Sequence, residues 1–292
     1  MMNTREISRL LRLHARTFAL TLRFLPRALR EPLGLAYLLA RASDMIADEG
    51  TILHDGRIAL LEELRSSLDG DAFDIWQPKT HEGELSDNDG KLIRAVPQLI
   101  AALKGSPDCK ELISLWRSII KGQLSDLTRF PSEAPLKEEE LERYCFLVAG
   151  SVGEIWTKLI AKHEPQTLLR PEEEMRRLGI AYGKGLQLVN ILRDRVDDRS
   201  VGRHYVKDAD LPALYDMAEE WLGSGEEYLT GLRPGRILMA TAMPHDLAVR
   251  TLRGIKHSPN AERVSITRWE VRSVLVRNVT SLCLPRRMNP AS

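Results

Sequence analysis

Apolar residues recur at three- and four-residue spacing along nearly the whole chain. No stretch alternates apolar with polar residues as a half-buried strand would. That periodicity makes an all-α fold the expectation. It predicts helices over 4–24, 33–49, 55–68, 91–104, 109–128, 137–163, 171–199, 210–231, 236–255 and 267–279. Pro32 and Pro171 stand where helices can start, because a first turn leaves the missing N–H unused. The connectors are polar: 69–90, rich in Gly and Asp, then "FPSEAPLKEEE" at 130–140 and "RSVGRHYVKDAD" at 199–210. None is long or biased enough to be a domain linker, and no repeat of fixed period appears. With 292 residues, a single domain over 1–292 is expected.

Two of these helices end in acids. "RASDMIADEG" at 41–50 and "RDRVDD" at 193–198 each place carboxylates four positions apart after a strongly apolar run. On the first helix, Tyr37, Arg41, Asp44 and Asp48 share one stripe, while Leu35, Leu38, Leu39, Ala42, Met45 and Ile46 cover most of the rest. On the second, Gln187, Asn190, Asp194 and Asp198 form the stripe, with Asp197 beside it. Leu188, Val189, Leu192 and Val196 supply its apolar part, and Arg193, Arg195, Arg199 and Arg203 surround the acids.

An isolated acidic pair of this spacing is ordinarily a solvated helix face. These helices are too apolar for that. Carboxylates that crowd one another inside a fold need a compensating cation. Mg²⁺ suits them, since it typically binds through one or two carboxylates together with substrate phosphates. Two such pairs facing across a cavity would clamp a diphosphate, with arginines taking the remaining phosphate oxygens. Stabilising diphosphate as it departs leaves a carbocation, and apolar walls keep water from it.

Bulk properties exclude other classes. The net charge of +1 gives no push toward nucleic acid. The three cysteines, Cys109, Cys145 and Cys283, are not spaced as a metal clip and fit a reduced, cytoplasmic chain. No signal-peptide layout and no run of 18 apolar residues is present, so no membrane span is expected. Peripheral contact with a membrane surface stays open, as does the oligomeric state.

"DMIAD" and "NILRDRVDD…GRHY" resemble the two aspartate-rich motifs of the squalene/phytoene synthase family. So do "HARTFALTLRFLP" near the N-terminus, "LGLAYLLARASD" before the first motif, and "KGQLSDL" (121–127) and "YCFLVAGSVG" (144–153) in the middle. "AMPHDLAVRTL" (242–252) and "ERVSITRWEV" (262–271) resemble its C-terminal segments. The resemblance implies the all-α isoprenoid synthase fold, a single helical domain around a central cavity. It also implies head-to-head joining of two prenyl diphosphates with Mg²⁺, through a cyclopropane intermediate. Squalene-forming members then reduce with NADPH, whereas phytoene- and dehydrosqualene-forming members lose a proton. The texture of the first motifs resembles bacterial squalene-forming members, which points to farnesyl diphosphate as substrate. A dehydrosqualene or phytoene synthase, or a presqualene diphosphate synthase that stops halfway, is the alternative. A non-catalytic relative would be expected to lose the acids, because an unmetallated cluster costs stability.

By the same resemblance, Asp44, Asp48, Asp194 and Asp198 match the metal-binding acids, with Asn190 and Arg193 in the lead-in of the second motif. Arg41 precedes the first pair, Gln187 lies on the second stripe, and Arg203 and Tyr205 match a diphosphate-side element. Tyr144 matches an aromatic near the reacting carbons, although a tyrosine heading an apolar helix is as readily a core residue. Thr17 and Phe18 match a pair at the substrate entrance. Gly150 and Gly153 lack the spacing of a nucleotide loop and suggest close helix packing. No Rossmann signature marks a place for NADPH. Gln123, Lys207 and Ser265 depart from the family's usual residues.

Overall fold

The computed structural model describes residues 4–14, 21–22, 24–48, 52–68, 87–130 and 134–257. Among them the fold is helical throughout, with one isolated antiparallel bridge, Leu168 to Leu232. The helices are α1 (Thr4–His14), α2 (Arg27–Asp48), α3 (His54–Ser66), α4 (Asp87–Lys104) and α5 (Cys109–Arg129). They continue as α6 (Glu138–His163), α7 (Glu172–Ser200), α8 (Leu211–Thr230) and α9 (Arg236–His257). The expected helix 267–279 and residue Ser265 lie outside the described residues.

The all-α expectation holds, and most helix ends agree to within a few residues. The clearest correction is at α2, which begins at Arg27 and carries Pro32 inside it. Pro26 is the true starting point: its carbonyl accepts the N–H groups of Leu29 and Arg30. Leu29 and Leu33 then continue the buried stripe across the proline, and their burial outweighs the backbone bond that Pro32 cannot make. Pro171 does mark a helix start, as the extended residue just before α7, whose first turn holds Glu172, Glu173 and Glu174.

Two apolar clusters organise the packing. One gathers α1 to α5 with parts of α6 and α7, around Leu38, Leu39, Leu99, Leu112 and Trp116. The other joins α6, α7, α8 and α9 around Leu188, Leu192, Leu222 and Leu252. α7 is common to both halves and packs against α6, α8 and α9. Its crossing with α6 is unusually close. A Cβ on Gly153 would collide with the Gly179 carbonyl, and one on Gly183 would collide with that of Ala149. Gly153, flagged in the sequence, therefore serves packing, and Gly150 likewise lies against Ile180 and Lys184 of α7.

By length and composition, α6 alone among the described helices is apolar enough to cross a membrane, although no uninterrupted apolar run marks it in the sequence. Here it is a core helix, with Leu141, Cys145, Ile155, Leu159 and Ile160 buried. It also changes pitch: residues Phe146–Gly150 form a π turn that begins two residues after Tyr144. The Leu147 carbonyl within it accepts from the Ser118 and Ser151 hydroxyls.

Candidate active site

The acid-tipped ends of α2 and α7 meet. Burial of Leu35, Leu38, Leu39, Ala42, Met45 and Ile46 fixes the rotation of α2, so that Tyr37, Arg41 and Asp44 lie half-buried on the remaining seam. Gln123 of α5 donates from Nε2 to Asp44 Oδ1 at 2.5 Å. Burial raises the Asp44 carboxyl to about 6; the Gln123 bond opposes the rise and the Asp48 charge adds to it. Asp48, one turn later, is 57% exposed.

The end of α7 is shaped by a glycine. Gly202 has φ 82°, a left-handed conformation that other residues adopt only with strain. The Gly202 N–H reaches the Arg199 carbonyl and the Arg203 N–H reaches that of Asp198, a Schellman closure. The reversal carries Arg203 back across the acids. Its Nη2 donates to Asp48 Oδ1 at 2.6 Å, joining the two motifs through one guanidinium. Arg203 is buried enough that desolvation works against its charge, yet Asp48 holds it firmly protonated. Asp198 rises to about 6, first through burial; the Arg203 charge opposes this, while Asp194, Asp197 and Asp48 reinforce it. Asp194 is held by its neighbour, with Arg193 Nε and Nη2 donating to its two oxygens at 2.8 and 2.5 Å.

A second polar cluster sits alongside. Tyr144 Oη donates to Asp126 Oδ2 at 2.9 Å, and the Tyr205 hydroxyl donates to the same oxygen. The two rings stack with centroids 5.2 Å apart, and Tyr205 also meets Phe130 edge-on. Burial raises Asp126 to about 6 against the pull of both hydroxyls and of Arg203. Burial and the Asp126 charge push the Tyr144 hydroxyl well above the ordinary tyrosine range. Sequence reasoning assigns Tyr144 and Tyr205 but not Asp126. The available signal is "KGQLSDL", where Gln123 and Asp126 stand one turn apart on α5. That helix therefore holds Asp44 with one residue and the tyrosines with the other.

The remaining expected residues fall as follows. Arg41 lies close enough to Asp44 to favour its ionised form. Gln187 is half-buried and Asn190 exposed on the α7 stripe. Thr17 and Phe18 lie outside the described residues. His163, which has no ligand spacing around it in the sequence, pairs with Asp108 at 2.8 Å away from the acids.

The donor set fits a hard divalent cation. Asp44, Asp48, Asp194 and Asp198 offer only oxygen, and their mutual repulsion is what a cation would relieve. Among the described residues, no three acidic, histidine or cysteine side chains gather closely enough to hold an ion alone. The described residues present no strand–glycine–helix cradle for a dinucleotide such as NADPH.

Comparison with known proteins identifies the family and the fold. The family model described as squalene/phytoene synthase matches residues 11–213, a span containing every acid and tyrosine above. A squalene synthase of Gibberella zeae is 27% identical over 314 residues, covering 95% of this chain and 65% of its own. A presqualene diphosphate synthase of Botryococcus braunii is 24% identical, covering 80% and 53%. A phytoene synthase of Arthrospira platensis is 30% identical, covering 73% and 63%. The chain thus spans less than two thirds of the length of these relatives. The structure of TcSQS with the ligand BPH1237 superposes with a TM-score of 0.74 at 19% identity, over 98% of this chain and 93% of that one. The two share the isoprenoid synthase fold.

Proposed function

We propose that this chain, which belongs to the squalene/phytoene synthase family, joins two farnesyl diphosphates head to head through presqualene diphosphate and reduces the product to squalene with NADPH. The observation that carries the reading is the meeting of two acid-tipped helices at Arg203, beside a buried tyrosine–aspartate cluster.

Asp44, Asp48, Asn190, Asp194 and Asp198 would hold Mg²⁺. The ion supplies positive charge against the diphosphate as it departs. Arg203 already spans both motifs, so its guanidinium is placed to take phosphate oxygens, and Arg41 and Arg193 flank it. The apolar faces of α2, α5 and α7 exclude water from an allylic cation. Asp126 Oδ2 accepts both tyrosine hydroxyls and its carboxyl titrates at about 6, so it is able to hold a proton released when the cyclopropane closes. Gln187 and Thr17 with Phe18 are assigned to substrate contact by resemblance alone.

A second reading omits the reduction. Relatives named presqualene diphosphate synthase and phytoene synthase match almost as well as those named squalene synthase. Site chemistry is common to these reactions up to the cyclopropane. We also place the protein in the cytoplasm, working at a membrane surface, since the product is insoluble in water. Exposed Leu53 and Val201, beside the acid-tipped helix ends, suit such a contact.

Product analysis by gas chromatography–mass spectrometry tests the proposal, with farnesyl diphosphate and Mg²⁺ supplied with and without NADPH. Squalene only with NADPH is the expected result. Dehydrosqualene regardless of NADPH, or presqualene alcohol after phosphatase treatment, establishes the second reading. No product from farnesyl or geranylgeranyl diphosphate refutes both.

A further inference from the structure

Gln123 occupies a position that its surroundings do not explain. It is 8% exposed, and its neighbours on α5, Ile119, Ile120, Leu124 and Leu127, are all buried apolar residues. A carboxylate oxygen only accepts, so the amide must turn Nε2 toward Asp44, as it does at 2.5 Å. That leaves Oε1, on the other arm of the same amide, without Asp44 as a partner. Oε1 is buried and finds no partner among the described residues. An apolar side chain in this place would avoid the orphaned acceptor altogether. A buried acceptor with no protein partner, one bond from a carboxylate expected to bind a cation, is accounted for if a ligand supplies the missing donor.

We propose that Gln123 completes the cation site at the first acidic pair: Nε2 fixes the Asp44 carboxylate, and Oε1 accepts a hydrogen bond from a water carried by the bound divalent cation. The inference rests on the proposed function, which places a cation at Asp44. Mg²⁺ sheds its waters reluctantly and usually keeps several, so a cation at one or two carboxylates presents O–H donors to its surroundings. An outer partner of this kind both orients the ligand and raises affinity, and its loss typically weakens metal binding about ten- to a hundred-fold. Gln123 is thus a positioning residue.

The test reads binding of Mn²⁺ together with pyrophosphate by the full chain, by isothermal titration calorimetry with the Mn²⁺–pyrophosphate complex as titrant. Gln123→Met should weaken Mn²⁺ binding about ten-fold. Gln123→Glu, which keeps an oxygen acceptor, should bind Mn²⁺ at least as tightly as the unmodified protein. A residue that merely held Asp44 in place would give the opposite order, because a glutamate there repels Asp44. Unchanged affinity in Gln123→Met, or weaker binding by Gln123→Glu than by Gln123→Met, overturns the proposal. Gln123→Leu takes the place of Gln123→Met if the latter does not fold. Asp44→Asn separates the two levels. If it weakens Mn²⁺ binding while Gln123→Met does not, only the role of Gln123 fails. If Asp44→Asn has no effect either, the cation assignment in the proposed function fails with it.

Discussion

Replacing Asp44 with asparagine should stabilise the metal-free protein while removing its activity. Asp44 titrates at about 6 in the folded chain against 3.8 as a free side chain. A group raised in this way favours the fold fully below about pH 4, and that contribution is lost as pH rises through 6. At pH 7.5 the folded state therefore carries a penalty of about 3 kcal/mol from this carboxylate, taking about 1.36 kcal/mol for each pH unit that separates the two values. Asparagine keeps an oxygen for Gln123 Nε2 but has no charge to desolvate. The expected gain is about 1–3 kcal/mol, or roughly 2–5 °C in melting temperature for a chain of this size. The assay is thermal unfolding in EDTA from pH 4 to 8, with the two proteins compared at each pH. The curves should coincide near pH 4, separate between 4 and 6, and stay parallel above. Mg²⁺ with pyrophosphate should then raise the melting temperature of the unmodified protein and not that of the variant. An Asp44→Asn variant that melts lower at pH 7.5, or by a constant offset at all pH values, would refute this account.

Other substitutions probe the remaining parts. Asp48→Asn and Asp194→Asn should each remove most turnover with the fold intact, checked by product formation and circular dichroism; unchanged turnover in either discounts its role in the clamp. Tyr205→Phe removes the strongest donor to Asp126, so the acid limb of kcat/KM against pH should move upward if Asp126 handles a proton in the reaction. Gly153→Ala should destabilise the protein by about 3 kcal/mol in urea unfolding, because the added methyl meets the Gly179 backbone.

Much of the fold and the acidic site is legible in the sequence because it is written in local periodicity. The stripes on α2 and α7 follow from three- and four-residue spacing, and the packing role of Gly153 follows from its place in a helical pattern. What spacing cannot report is the meeting of distant segments. Asp126 carries no role in the sequence alone, because its partners Tyr144 and Tyr205 are 18 and 79 residues away. Gln123 stands out there only as a departure, since its contact with Asp44 also spans 79 residues. Pro32 misleads for a related reason: the local rule for proline is overridden by burial of Leu29 and Leu33 on either side. The π turn after Tyr144 has no sequence signal that helical spacing would reveal.

The placement of the acids argues for a cation independently of any resemblance. A helix C-terminus carries partial negative charge, and the residues usually found there are basic. α2 has no basic residue in its last turn and ends on Asp48 itself. α7 places Asp197 and Asp198 in its last turn, with Arg199 the only base, and that base is turned outward onto Asp208. Two negative helix ends, each weighted with carboxylates, are thus brought face to face with Arg203 as the link between them. Every local electrostatic preference is violated in the same direction and at the same point. Structural ion pairs do not accumulate in this way: Asp44 and Asp198 rise to about 6 first through burial, and the neighbouring carboxylates push them further in the same direction. The arrangement becomes favourable once positive charge beyond that of Arg41, Arg193 and Arg203 arrives, which bound divalent cations would supply.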